Sequence, residues 1–239
     1  MHDRQRTLRT LAAKFSRFHR SSRITTKPEI WDLIARESDR VTLFRRDSLE
    51  CMRTAYIGMG GNVPGVAGTP EETLTAAVVR LERLGRVICR SSLYSTEPVG
   101  FAEQPRFINA VVALETELHP RTLLAELMAI EKEFGRDRTA GIANGPRTLD
   151  LDILLYDDWT VSEPGLEIPH PRLEERAFVL IPLRQIAPGV VASKEGRTVS
   201  QLLHALFPHE ENHPDEVVRL HWPGWRACAC HYNAAARES

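Results

Sequence analysis

The residues best suited to chemistry lie in Asn144-Gly145-Pro146-Arg147-Thr148-Leu149-Asp150-Leu151-Asp152-Ile153-Leu154-Leu155-Tyr156. From Thr148 onward, apolar and β-favouring residues run without a helical gap, which predicts a strand. Alternation points Asp150 and Asp152 to one face, roughly 6.6 Å apart, and Leu149, Leu151 and Ile153 to the other. Two like charges this close repel, and each is costly to desolvate. A cation belongs between them. Mg²⁺ fits, because it takes one or two carboxylates together with substrate phosphates. The bland alternative is a structural ion pair with Arg147, a common fate for a bare Asp-x-Asp. Arg136, Arg138 and Arg147 nevertheless supply the guanidinium forks that a polyphosphate needs when charge moves. A metal-binding pair also predicts that Asp150→Asn or Asp152→Asn leaves stability equal or slightly higher, since repulsion is relieved.

The elements that must position these groups follow from the rest of the chain. Thr54 to Asn62 predicts a first strand running into a glycine-rich tight turn, without the Gly-Lys-Ser/Thr ending of a phosphate loop. Thr69-Pro70-Glu71-Glu72 predicts a helix start with a capping box, Leu74, Val78, Leu81 and Leu84 its buried stripe, and Gly85 its stop. Val87 to Ser95 and Phe107 to Leu114 predict two further strands, with the loop Thr96-Glu97-Pro98-Val99-Gly100 between them. His119-Pro120 opens the next helix, with Leu123, Leu127, Ile130 and Phe134 inward. The aspartate strand follows, then a loop at Ile168-Pro169-His170-Pro171 and a last helix over Thr198 to Phe207. Strand, helix, strand, strand, helix, strand predicts an α+β fold: a ferredoxin-like sandwich, mainly antiparallel, with helices on one face and additional elements.

The 239 residues allow one well-cored domain with appendages. A net charge of −1 argues against a nucleic-acid-binding surface, and no apolar run reaches the ~20 residues of a membrane helix. Cysteines at 51, 89, 228 and 230 form no framework, which points to a reducing cytoplasm. Cys228-Ala229-Cys230-His231 has the wrong spacing for a zinc knuckle. Residues 1–53 form an N-terminal extension, expected to be poorly ordered, that opens with a basic amphipathic stretch around Leu8, Leu11, Phe15 and Phe18. Residues 54–222 are the expected catalytic domain, and 223–239 a C-terminal tail.

Gly145-Pro146-Arg147-Thr148-Leu149-Asp150-Leu151-Asp152-Ile153-Leu154 closely resembles the signature of the 6-hydroxymethyl-7,8-dihydropterin pyrophosphokinase family of folate biosynthesis. The resemblance extends from about Thr54 to about His221. It implies transfer of the diphosphate of ATP to the pterin hydroxymethyl oxygen, with AMP released. Asp150 and Asp152 would hold two Mg²⁺ ions, and Asp150 would help take the hydroxyl proton. Catalytic roles fall to Arg136, Arg147, Asp150 and Asp152. The pterin is expected among Thr96, Pro98, Val99, Phe107, Asn109 and Phe178, and ATP among Glu131, Arg138, Ile153, Leu166, His170 and Arg176. The segment from Arg136 to Asn144 is the expected lid, mobile without ligand.

Departures from the family pattern are Gly61 for a usual Ser, expected to be mild, Phe107 where Tyr is frequent, and Ala143 and Asn144 where Arg and an aromatic are frequent. The expected protein is a monomer acting on small molecules, with no nucleic-acid or membrane partner. Two rival readings are a two-metal phosphodiesterase or nucleotidyl transferase on a similar fold, and a non-enzymatic binding module.

Overall fold

The computed structural model describes residues 52–101, 103–136, 145–208 and 217–228. The chain divides into two units, Met1–Asp47 and Ser48–Ser239, and every described residue belongs to the second. Arg138, the rest of the expected lid to Asn144, and the N-terminal extension to Cys51 lie outside the described residues.

Alternating apolar residues build the sheet. β1 (Arg53–Gly61) and β4 (Phe107–Thr116) pair antiparallel from Arg53 opposite Thr116 to Gly61 opposite Ile108. β5 (Asp150–Tyr156) lies on the other edge of β1, while β3 (Leu93–Thr96) and then β8 (Val217–Leu220) extend the sheet beyond β4. β2 (Arg86–Arg90) also pairs with β4, giving a six-stranded antiparallel sheet in the order β5-β1-β4-β3-β8. A hairpin of β6 (Val161–Glu163) and β7 (Leu166–Ile168) stands apart. The single strand expected over Val87 to Ser95 is therefore two. Ser91 breaks it: its Oγ accepts the Val111 amide at 3.0 Å and its own amide donates to the Val111 carbonyl at 2.9 Å.

Among the described residues four helices cover the sheet: α1 (Pro70–Leu81), α2 (Pro120–Glu133), α3 (Ala177–Ile186) and α4 (Val199–Leu206). The predicted capping box of α1 is present, Thr69 and Glu72 satisfying each other's amides. Helices lie on both faces rather than one. Leu74, Leu81, Leu123 and Leu127 of α1 and α2 pack on Ile57, Val112, Leu151 and Ile153. Leu180, Leu183, Leu202 and Leu203 of α3 and α4 pack on Tyr56, Val111, Leu154 and Leu155. Pro182 hides α3 in the sequence, since an internal proline removes a backbone donor. Burial of its apolar neighbours decides the matter.

The stretch expected to be a tail begins inside the folded part. Trp225 is buried in the first core and donates its indole N–H to the Ser91 carbonyl at 2.7 Å. Cys228 accepts the Arg90 amide on its sulfur at 3.3 Å.

A second correction concerns Gly58, Gly60 and Gly61. They are not a turn. All three lie within β1, and none has positive φ. Their small size serves close approach instead.

Candidate active site

The register of three strands lays out the site. Across β1, Gly60 pairs with Asp150 on one side and Asn109 on the other, while Gly58 pairs with Asp152 and Val111. Alternate glycines thus bare a trough in the sheet between the aspartates of β5 and Asn109 of β4. A Cβ on Gly60 would meet Asn109 Oδ1 at 2.7 Å, so only glycine lets that amide lie across the strand. Two strand spacings separate Asp150 from Asn109, roughly 10 Å. Leu154 closes the floor: Ile57 pairs with Ile153 and Tyr56 with Leu155, leaving Leu154 as the extra residue of a bulge. The bulge resets the alternation, so Tyr156 faces the first core and Leu155 the second.

This trough opens into a cavity of about 270 Å³. It brings together Thr96, Val99, Phe107, Asn109, Arg136, Arg147, Asp150, Asp152, His170, Arg176 and Phe178. At one end Asn109 donates to Thr96 Oγ1 at 2.7 Å, with both residues buried, and Phe107 and Phe178 supply ring faces. At the other end Arg136 bonds Asp150 Oδ1, and Arg147 Nη1 reaches Asp150 Oδ2 at 2.7 Å. The Arg147 guanidinium also stands 5.3 Å from the Phe107 ring centre, joining the two ends. Burial pushes the Asp150 carboxyl up, but Arg136 and Arg147 outweigh it and hold the group below the usual carboxylate range. This contact argues against the expectation that Asp150→Asn is neutral for stability. The substitution would leave two guanidiniums facing each other.

His170 is held by the backbone of its own loop. Its Nδ1 accepts the Arg172 amide at 3.2 Å, which leaves Nε2 to carry the proton of the neutral ring. Burial and the Arg176 charge push its pKa down, so the neutral ring dominates at pH 7. Arg176 lies 5.5 Å from the Phe178 ring centre.

Other expected residues stand elsewhere. Glu131 does not line the cavity. It is 1% exposed on α2, behind Arg136, and accepts from Arg136 Nη1 at 2.7 Å and from the Leu151 amide at 2.8 Å. Ile153 and Leu166 are buried in the first core, on the sheet face opposite the cavity, because the strand alternation that exposes Asp152 must hide Ile153. Pro98 sits in the adjoining loop, half-buried, between cavity-lining Glu97 and Val99.

Sequence reasoning passed over several residues. Glu97 and Arg172 line the cavity, and Arg106 holds Glu97 while also bonding Ser95 Oγ at 2.8 Å. Buried Asn62 accepts the Arg147 amide at 2.8 Å and donates to Gln104 Oε1 and the Pro105 carbonyl, each at 3.0 Å. It ties the turn at Arg147 to the loop beside Phe107. The legible signal was a Gly-x-Gly in β1 answering the Asp-x-Asp in β5.

The cavity's donor set suits Mg²⁺. Asp150 and Asp152 offer hard carboxylate oxygens from one strand face, and among the described residues no third His, Cys, Asp or Glu completes a metal cluster. An octahedral ion here would fill its remaining positions with phosphate oxygens and water.

A sheet floor with paired aspartates and arginines at one end and a flat polar slot at the other defines a phosphoryl-transfer enzyme. The chain belongs to the 7,8-dihydro-6-hydroxymethylpterin-pyrophosphokinase family, whose profile matches residues 56–188. The 2-amino-4-hydroxy-6-hydroxymethyldihydropteridine pyrophosphokinase of Pseudomonas aeruginosa is 43% identical over 156 residues, 64% of this chain and 92% of that protein. The Haemophilus influenzae protein of the same name is 40% identical over 161 residues, 66% of this chain and 96% of its own. Among solved structures, Plasmodium falciparum HPPK-DHPS A437G with STZ-DHP aligns at a TM-score of 0.56 and 16% identity, over 72% of this chain. This chain spans 50% of that longer protein, so the likeness there is one of fold.

Proposed function

We propose that the cavity on β1, β4 and β5 is where the family's reaction takes place: the diphosphate of ATP passes to the hydroxymethyl oxygen of 6-hydroxymethyl-7,8-dihydropterin, and AMP leaves. The protein is an ATP-dependent diphosphotransferase of folate biosynthesis. The observation that carries the assignment of the site is the row Asp150–Gly60–Asn109, which places a charged end and a flat hydrogen-bonding end on one bare strip of sheet.

The pterin lies flat between Phe107 and Phe178, its amide-like edge met by Asn109, whose orientation Thr96 fixes. Val99 and Pro98 flank that slot. Arg136, Arg147, Arg176 and the His170 Nε2–H surround the phosphates, with Arg138 adjoining in sequence. The hydroxymethyl oxygen forms a bond to the β-phosphorus as the bond from that phosphorus to the α-bridging oxygen breaks, so the leaving electron pair departs with AMP. Asp150 and Asp152 would hold two Mg²⁺ ions, whose charge would offset that developing on the transferring phosphates. Asp150, held charged by two guanidiniums, is a weak base. Its part is to place charge and orient Arg136 and Arg147; the hydroxyl proton leaves to water, and a loose transition state needs little help with it. Glu131 acts through Arg136 as a positioning residue.

The ferredoxin-like reading of the fold is supported by the strand order. Taking β2 and β3 as one interrupted strand, the sequence β1-α1-β2/β3-β4-α2-β5 gives the spatial order fourth, first, third, second. α3, α4, the β6–β7 hairpin and β8 are additions to it. A monomer in the cytoplasm accords with small-molecule substrates. Among the described residues, no helix is long and apolar enough to cross a membrane. Residues 1–50 are dispensable for chemistry, a reading supported by the cavity's lining, which among the described residues runs from Gly58 to Val179.

The deciding experiment is AMP formation from ATP with Mg²⁺, with and without the pterin. AMP that appears only with the pterin supports the reading. AMP formed equally without it, or from a dinucleotide substrate, would favour the phosphodiesterase alternative.

A further inference from the structure

Four arginines line the cavity, and they are not equivalent in the free protein. Arg136 and Arg147 are both bound to Asp150, and Arg136 also to Glu131. Their charge is largely committed before any ligand arrives. Arg172 and Arg176 enter from the opposite wall, on the turn between β7 and α3. Among the described residues, no carboxylate stands within ion-pair distance of Arg176. The nearest to Arg172 is Glu175, at a loose 3.9 Å between side chains that are 48% and 73% exposed. Such an exposed pair contributes almost nothing.

We propose that Arg172 is the capture residue for the nucleotide's polyphosphate: an uncommitted guanidinium at the cavity mouth that meets the phosphate chain first and passes it to Arg176 and His170 inside. This inference rests on the functional reading above.

Three further observations support it. Arg172 lines the cavity yet keeps about half its side chain in water, the placement of a rim group rather than of a buried clamp. Its charge is near enough to push the Arg176 guanidinium and the His170 imidazole below their ordinary values, after burial in the first case and after burial and Arg176 in the second. Two guanidiniums and an imidazole that resists protonation are brought to one wall, where an anion supplies the counter-charge they lack. Finally, the Arg172 amide donates to His170 Nδ1, so the same residue fixes the histidine's Nε2–H as a donor. Rim charges act chiefly on association rate and its salt dependence, whereas buried charge pairs act on dissociation.

The test is stopped-flow binding of a non-hydrolysable ATP analogue with Mg²⁺ to the full chain, at low and high ionic strength. Arg172→Gln should slow association by about five-fold at low salt, with the gap closing at high salt and dissociation little changed. Glu175→Gln, which removes the nearby counter-charge, should speed association. Thermal melts without nucleotide should place Arg172→Gln level with or above wild type, because like-charge repulsion is relieved. Association of Arg172→Gln at the wild-type rate overturns the assignment, as does a melt several degrees lower, which would make the residue a structural partner. A wild-type protein that binds no Mg²⁺–nucleotide would overturn this inference together with the reading beneath it. Wild-type binding with an unaffected variant sinks the inference alone.

Discussion

Glu131 Oε1 accepts from Arg136 Nη1 at 2.7 Å and, with the same oxygen, from the Leu151 amide at 2.8 Å. One buried carboxylate on α2 thereby sets both the height of Arg136 and the position of the strand between the two aspartates. Glu131→Ala should cost about 2–3 kcal/mol of stability, because the Leu151 amide and one guanidinium N–H lose a buried partner. Glu131→Gln keeps an acceptor for the amide and should recover part of that loss, while activity stays low because Arg136 loses one of its two carboxylate partners. Denaturant melts and the pterin-dependent AMP assay, run on both variants, check this. Equal activity of Glu131→Gln and wild type would remove the positioning role.

The aspartates should separate from each other. Asp152→Asn removes a carboxylate from the metal-facing strand, and activity should fall on the order of 10³-fold, about 4 kcal/mol. Asp150→Asn should lose activity to a similar degree and should also lose stability, since it strips the common partner from Arg136 and Arg147. An Asp150→Asn protein as stable as wild type would mean that these ion pairs contribute nothing.

Acid should reveal the same contact. Asp150 is held below the ordinary value near about 3.9. Its stabilisation is complete above that pH. As pH falls further, the unfolded chain binds a proton that the folded carboxylate still refuses, so stability drops until the folded group itself protonates. Urea midpoints measured from pH 6 down to pH 2 should fall on this limb, and Asp150→Asn should flatten it. A parallel decline in both proteins would assign the acid limb to other carboxylates.

How much of this was legible beforehand can be argued from single residues. The aspartate strand, the α1 capping box and the flanking Arg136 and Arg147 follow from alternation and local chemistry, which act within a few positions of the chain, whereas Phe107, Phe178 and Arg176 came only from the resemblance to the family. Glu131 was placed among the ATP contacts by the resemblance to the family. That it stands behind Arg136 depends on α2 packing against β5, a tertiary fact. Ile153 and Leu166 lie in the first core for a similar reason, and alternation from Asp152 already turned the Ile153 side chain away from the cavity. The bulge at Leu154 is invisible to a period-two reading, since one extra residue inverts all that follow. Gly58, Gly60 and Gly61 look like a turn in sequence because glycines usually make turns. Only the register with Asp150 and Asn109 shows why a strand needs them.

His170 should titrate below the usual histidine value, near about 6.5, in the free protein. Between the unfolded and folded values the unfolded chain binds the extra proton, so this group costs stability as pH falls through that range and nothing above it. Bound phosphate supplies the missing counter-charge and should raise the value. Imidazole proton shifts followed by NMR, with and without ATP analogue and Mg²⁺, report both numbers. A value unchanged by nucleotide would place the ring away from the phosphates.

Gly61 bears on a departure from the family pattern that local reasoning took as mild. A Cβ there would meet the Thr148 carbonyl oxygen at 2.4 Å, and that oxygen is backbone, so no side-chain rotation relieves it. The approach is close because Asn62 draws the two segments together: its amide donates to the Arg147 carbonyl at 2.9 Å and its Oδ1 accepts the Arg147 amide at 2.8 Å. Arg147 is thus set in place by a contact that only glycine at 61 permits in this backbone. Gly61→Ser, although it restores the family's usual residue, should cost about 1–3 kcal/mol as an overpacked site. It should also lower activity through displacement of Arg147 from Asp150 and Phe107. Restoring the space is not possible by trimming Thr148, whose offending atom is main-chain. The decisive comparison is Gly61→Ser beside Gly61→Ala in melts and turnover. The two should fail alike, because the Cβ common to both makes the clash. A serine variant at wild-type stability and activity would show that the 61–148 gap opens at no cost and that Arg147 is positioned by other contacts.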